Sequence, residues 1–243
     1  MNELAEEMTR AARAPLTRGK RPKDAATLIL IDRSGATPKV LLGKRHHGHA
    51  FMPSKFVFPG GRVEPHDRQV PVAGEIDPHI ATRLMRHVQR PSPDKARALA
   101  VAAIREVFEE TGLLLGRKVG GDGSTPARAD DPFAAAGVRP DLSELHLIAR
   151  AITPPGRPRR FDTRFFAADA QLIVHRVDGA VGPDAELVEL TWLPVADAQK
   201  LDIPPVTKRV LGELEARVAA GFGHALPVPF YRVLHGKFTC VML

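Results

Sequence analysis

Residues 95–111 can be read as one helix with an apolar stripe opposite an acidic one. Alanines fill the stretch, Asp94 is placed to cap it and Gly112 to stop it. At 100° per residue Val101, Ile104 and Phe108 share one stripe, which needs a core to pack against. Glu106, Glu109 and Glu110 share the other. Like charges at these spacings repel by a few tenths of a kcal/mol. They also stand near the helix C-terminus, where the macrodipole disfavours anions. Two local rules broken together are expected where function is imposed. A hard divalent cation would relieve the repulsion, and Arg105 lies within reach of Glu109. From the helix alone, a solvated acidic face is the competing reading.

The remaining pattern is rich in strands. "AATLILI" (25–31) and "KVLLGKR" (39–45) read as a hairpin around turn chemistry, and "KFVF" as a short strand before a Pro-Gly-Gly turn. Residues 62–94 are irregular, with a short helix at 78–89. Residues 117–141 read as loop. Strands follow at 145–153, 159–169, 171–177 and 187–194, then helices at 195–201 and 205–220, and a tail of strand character. Residues 1–14 read as an amphipathic helix and 15–24 as a basic linker. Strands before, between and after a few helices predict an α/β (α+β) fold, a mixed sheet sandwiched between helices. The division is residues 1–21 as helix and linker and 22–243 as one domain.

Composition narrows the partners. The net charge is +7, which favours anionic ligands. Aromatic content is 5 %, which argues against the stacking platforms of a single-strand binder, so nucleic acid is the weaker choice beside a phosphorylated small molecule, and a charge that serves only solubility is an equal alternative. No apolar run reaches membrane-spanning length, and the opening residues lack a secretory pattern. The single Cys240 permits no disulfide framework. Its expected setting is a cytoplasm, where it would be inert.

Upstream of the helix, "FPGGRVEPHD" (58–67) places glycines straight after a strand, where backbone can approach a ligand closely. Together the two stretches resemble the Nudix box: Gly, five residues, Glu, seven residues, then Arg-Glu-aliphatic-x-Glu-Glu-x-Gly-aliphatic. Arg105 to Leu113 match its second half at every specified position. The first half begins at Gly61 and has Asp67 where Glu is expected, which leaves the supporting role of that position open. About thirty residues, roughly 68–97, interrupt the box. "ITPPGRPRRFDTRFF" and the interrupted box are similar to the branch that includes peroxisomal coenzyme A diphosphatases.

The resemblance implies metal-dependent hydrolysis of a diphosphate linkage in a nucleoside diphosphate derivative, with Mg²⁺ or Mn²⁺ as cofactor. By position, Glu106 and Glu110 would bind metal, Glu109 the metal or its water, and the Gly60 carbonyl would be a further ligand. Arg105 would hold Glu106 or Glu109. The general base is a box glutamate or one of Glu186 and Glu189, which read equally as solvated strand-edge charges. Lys44, Arg45 and Arg62, with Arg157, Arg159 and Arg160 in "GRPRR", are the candidate phosphate contacts; the turn cluster reads equally as solvated. His46, His47 and His49 are poorly spaced for zinc. The branch points to coenzyme A or acyl-coenzyme A, giving 3′,5′-ADP and an (acyl)phosphopantetheine. ADP-ribose, nucleotide sugars and NADH are alternatives, as is a non-catalytic nucleotide- or RNA-binding module. A homodimer is expected by resemblance. The insertion reads as a lid or pocket wall, or as a surface excursion or dimer contact.

Overall fold

Successive residues of the first strand, β1 (Lys23–Asp32), enter two different cores. Ala26, Leu28 and Leu30 belong to one, and Ile29 and Ile31 to the other. An uninterrupted apolar run is what a strand covered on both faces requires. The computed structural model describes residues 5–6, 8–10, 21–48, 53–119 and 132–243.

The further strands are β2 (Lys39–Arg45), β3 (Phe56–Val57), β4 (Gly60–Arg62), β5 (Leu113–Leu115), β6 (Arg117–Lys118), β7 (Val138–Arg139), β8 (His146–Ile152), β9 (Phe161–Asp169), β10 (Ile173–Arg176), β11 (Leu187–Pro194), β12 (Pro229–Leu234) and β13 (Lys237–Met242). The main sheet runs β11-β2-β1-β9-β8-β12-β13, with β3 on β2 and β4 on β1. β1 and β9 are parallel, as are β8 and β12; the other pairs of this sheet are antiparallel. The sheet is therefore mixed.

Three longer helices are α1 (Pro78–Met85), α2 (Pro93–Thr111) and α3 (Pro205–Ala219). α1 and α2 bury their apolar residues in the first core, while Val210, Leu211 and Leu214 of α3 fill the second. Residues 5–6 and 8–10 are helical, and Met8 packs into that second core; the rest of the expected N-terminal helix lies outside the described residues. Among the described residues no helix is long and apolar enough to cross a membrane.

α2 begins two residues earlier than its pattern suggests. The cap is Ser92, whose hydroxyl accepts from the Lys95 amide at 3.2 Å, and not Asp94. Pro93 then occupies the first turn, where a missing N–H costs nothing. Gly112 ends the helix at φ 74°. A Cβ there would also lie 2.0 Å from the Val177 carbonyl oxygen, so both conformation and space require glycine.

The segment between the box halves is built into the body. Ile80 and Leu84 of α1 are buried in the first core. Arg83 donates to the carbonyls of His224 and Ala225. The buried guanidinium of Arg150 donates to the carbonyls of Arg86 and His87 and pairs with Asp162. The segment thus extends the helical layer beside α2.

The predicted loop 117–141 contains the β6–β7 pair and a single-turn helix at Pro132–Ala135; residues 120–131 lie outside the described residues. The predicted strand 171–177 starts as a 3₁₀ turn and continues as β10, which pairs with β5 away from the main sheet.

Candidate active site

β4 pairs with the first half of β1, setting Gly60 opposite Thr27, Gly61 opposite Ala26 and Arg62 opposite Ala25. The last turns of α2 lie against this strand. A Cβ on Gly61 would stand 2.3 Å from a carboxylate oxygen of Glu106. Only a residue without a side chain leaves that carboxylate its place.

Arg105 organises the acidic face. Its Nη1 donates to Glu106 and to Glu109, each at 2.8 Å. Its Nη2 donates to the Arg62 carbonyl at 2.8 Å. Nε and Nη2 grip the two oxygens of Asp67 at 2.8 and 3.2 Å. Asp67 is wholly buried. The 3₁₀ turn Pro65–Arg68 brings it inward, and its carboxylate also accepts from the Glu64 amide at 2.7 Å. The shorter acid therefore reaches the arginine. Burial opposes the Arg105 charge, but Asp67 and Glu106 outweigh it and hold the guanidinium pKa above its ordinary value.

Glu110 departs from the solvated stripe that a helical wheel assigns it. It is 6 % exposed. Its Oε1 accepts a long bond of 3.5 Å from the Gly60 amide, and its Oε2 is buried without a partner among the described residues. Burial, then the negative charge of Glu186, push its pKa up to about 8. Burial also raises that of Glu106, outweighing Arg105. Arg45, the last residue of β2, pairs with Glu186 at 3.0 Å. Glu106 and Glu110 thus stand beside Gly61 and Gly60, within the electrostatic influence of Glu186, while Arg105 ties Glu109 to Glu106 and Arg45 holds Glu186.

Other candidates stand elsewhere. Glu189 is exposed, lies opposite Lys44, and accepts from Thr191 at 3.0 Å. The Lys44 ammonium lies 5.9 Å from the centre of the Phe56 ring. Arg157 and Arg159 are exposed in the β8–β9 turn. Arg160 donates from Nε to the Thr153 carbonyl at 3.0 Å. The rings of His46 and His47 lie 4.1 Å apart; His49 lies outside the described residues. Cys240 is a free, exposed thiol on β13.

Among the described residues no three His, Cys, Asp or Glu groups converge as a finished metal site. Arg105 draws Glu106 and Glu109 toward itself. The donor set nevertheless fits a hard cation: all its side chains offer carboxylate oxygens, one buried oxygen lacks a partner, and Gly61 leaves the space that Glu106 occupies.

A mixed sheet between helices, with the Arg-Glu-x-x-Glu-Glu face set against a glycine-bearing strand, defines a Nudix domain. The chain belongs to the Nudix hydrolase family. It is 30 % identical to the Nudix hydrolase of Alicyclobacillus acidocaldarius, whose crystal structure matches with a TM-score of 0.56 over 81 % of this chain and 92 % of that one. No family model matches. Among curated proteins it is similar to the acyl-coenzyme A diphosphatase NUDT19 of Xenopus laevis, 36 % identical over 131 residues, covering 38 % of this chain and 34 % of the relative. The NUDT19 of Gallus gallus is 29 % identical over 180 residues, covering 53 % and 47 %. The chain spans less than half the length of the curated relatives it matches.

Proposed function

We propose that this chain hydrolyses a diphosphate linkage with the help of Mg²⁺ or Mn²⁺, and that its substrate is coenzyme A or an acyl-coenzyme A. The observation that carries the metal reading is Glu110: a carboxylate oxygen buried without a partner among the described residues, beside two further carboxylates. Such an arrangement costs free energy unless a cation or proton neutralises it. The similarity to the NUDT19 proteins, which are acyl-coenzyme A diphosphatases, supports the substrate.

Glu106, Glu109 and Glu110 would hold the cation, with the Gly60 carbonyl as a backbone ligand. The cation would supply charge neutralisation on the diphosphate and a lower pKa for the attacking water. Arg105, fixed by Asp67, keeps Glu106 and Glu109 oriented. Glu186, held by Arg45, is the side chain we assign as general base, in preference to Glu189, whose carboxylate is engaged with Thr191. Water adds to one phosphorus, the bridging P–O bond breaks, and two phosphate monoesters leave. Arg62, whose carbonyl Arg105 holds, adjoins this region and would contact a substrate phosphate.

The test is a panel of coenzyme A, an acyl-coenzyme A, ADP-ribose, a nucleotide sugar and NADH, each with Mg²⁺ or Mn²⁺. Formation of 3′,5′-ADP from the first two is expected. Fast hydrolysis of ADP-ribose with no turnover of either coenzyme A species would move the substrate assignment. No turnover of any member would favour a binding module.

A further inference from the structure

A second feature adjoins the acidic face. An open cleft of about 460 Å³ lies between the start of β1, the turn 62–68 and the first half of α2. Its lining carries five cations: Arg21, Lys23, Arg62, Arg68 and Lys95. Two carboxylates share the lining, Asp24 and Glu64.

Asp24 does little to offset that charge. Its oxygens bind Lys95 at 2.9 Å and Arg164 at 2.7 Å. Arg164 is wholly buried, and its Nε and Nη2 have no partner among the described residues. Behind the cleft wall Asp24 and Asp162 therefore face three cations, Lys95, Arg150 and Arg164. The network is left with an excess positive charge. Lys23, Arg62 and Arg68 are exposed to the solvent of the cleft.

The cleft is also joined to the reacting region. Arg62 lines it, and the carbonyl of the same residue is held by Arg105. Along β1, Lys23 stands two residues before Ala25, the partner of Arg62, so the two cations share one face of the strand pair. Two residues of strand span about 7 Å. A substrate whose diphosphate lies beside Gly61 and Arg62 could lay a second anionic group at Lys23.

We propose that this cleft is a subsite for a phosphate monoester carried on the nucleotide half of the substrate, read by Lys23, Arg62 and Arg68. Guanidinium and ammonium groups on a phosphate make charge-assisted hydrogen bonds. The inference rests on the coenzyme A reading for its ligand, since coenzyme A carries a 3′-phosphate that dephospho-coenzyme A lacks. Of the phosphate contacts expected from the sequence it keeps Arg62 and does not use Arg157, Arg159 and Arg160.

Two measurements on the full chain separate the subsite from the activity. Calorimetric titration with 3′,5′-ADP and 5′-AMP reads binding without turnover. The unsubstituted chain should bind 3′,5′-ADP at least tenfold more tightly. Lys23→Ala/Arg68→Ala should remove most of that ratio, with circular dichroism showing an unchanged fold. Arg157→Ala/Arg159→Ala should keep it. No preference in the unsubstituted chain, or a preference that survives the first double variant and is lost in the second, overturns the proposal. In parallel, kcat/KM for coenzyme A over dephospho-coenzyme A should fall about tenfold in the cleft variant. If binding discriminates but neither compound is hydrolysed, the subsite stands and the proposed activity fails.

Discussion

Arg105 and Asp67, thirty-eight positions apart in the chain, form a two-pronged ion pair at 2.8 and 3.2 Å whose carboxylate is wholly buried. The pair joins the turn that follows β4 to the helix bearing the glutamates. Removing one partner of a buried pair typically costs up to about 3–5 kcal/mol, and here Glu106 and Glu109 still face the remaining guanidinium, which sets the lower end of that range. Asp67→Ala should lower stability by an amount of that order in urea unfolding and reduce kcat more than it raises KM. A variant of unchanged stability would show that the pair is not holding the two segments together.

Glu110→Gln removes an anion from a place that disfavours it. The folded pKa is about 8, while an unfolded glutamate titrates near 4.3. Between those values the folded state holds the extra proton, so stability falls as pH rises through that window. Urea unfolding from pH 5 to pH 8.5 should show this decline, and Glu110→Gln should flatten it while abolishing hydrolysis. Added Mg²⁺ should raise the melting temperature of the unsubstituted chain, most at the alkaline end, because a ligand of the folded state alone stabilises it. An unaltered pH slope in Glu110→Gln would remove the burial argument.

His146 gives the opposite slope. Burial first, then the charges of His224 and Arg217, depress its pKa to about 3. Its ring packs 4.1 Å from those of Phe222 and His224. An unfolded histidine takes up its proton near pH 6.5. The unfolded state therefore binds more protons below that pH, and the contribution of His146 to stability is lost as pH falls from 6.5 toward 3. His146→Phe should lessen acid destabilisation in thermal melts from pH 7 to pH 4.5.

Gly61→Ala should separate fold from function. The added methyl meets the carboxylate of Glu106, the far end of a flexible side chain, so the fold can accommodate it by moving that group. Unfolding should change little, while hydrolysis drops at least tenfold. Retained activity would mean that the position of Glu106 is not critical.

The segment between Asp67 and α2 should behave as core. Leu84 is 2 % exposed in the first cluster, and Leu→Ala at buried sites costs about 2–5 kcal/mol. Leu84→Ala should lower the urea midpoint accordingly. A midpoint within error of the parent would identify α1 as an independent appendage.

Much of the sheet was readable from the residues, because β1, β2, β8, β9 and β11 are dense apolar runs bounded by turn residues. The Nudix motif exposed the carboxylates for a different reason: their spacing is set by helix geometry, which is local. Long-range placement was less visible. A wheel puts Glu110 with Glu106 and Glu109, yet the proximity of β4 buries it. Nothing local marks Glu186 over Glu189; the register of β11 on β2, with a bulge between Leu187 and Glu189, decides which one meets Arg45. The tail reads as strand, and its division into β12 and β13 depends on left-handed backbone at His235 and Gly236. The cleft at Lys23 was missed because its cations come from three separated stretches, each ordinary by itself.

The chain leaves β4 at Arg62 and begins α2 only at Pro93, after Ile80 and Leu84 have entered the core. What joins the two ends of that excursion is a guanidinium meeting a carboxylate. The pair sets the turn after β4 against the helix whatever path the chain takes between them, and the path taken here shelters its own greasy side chains in the core.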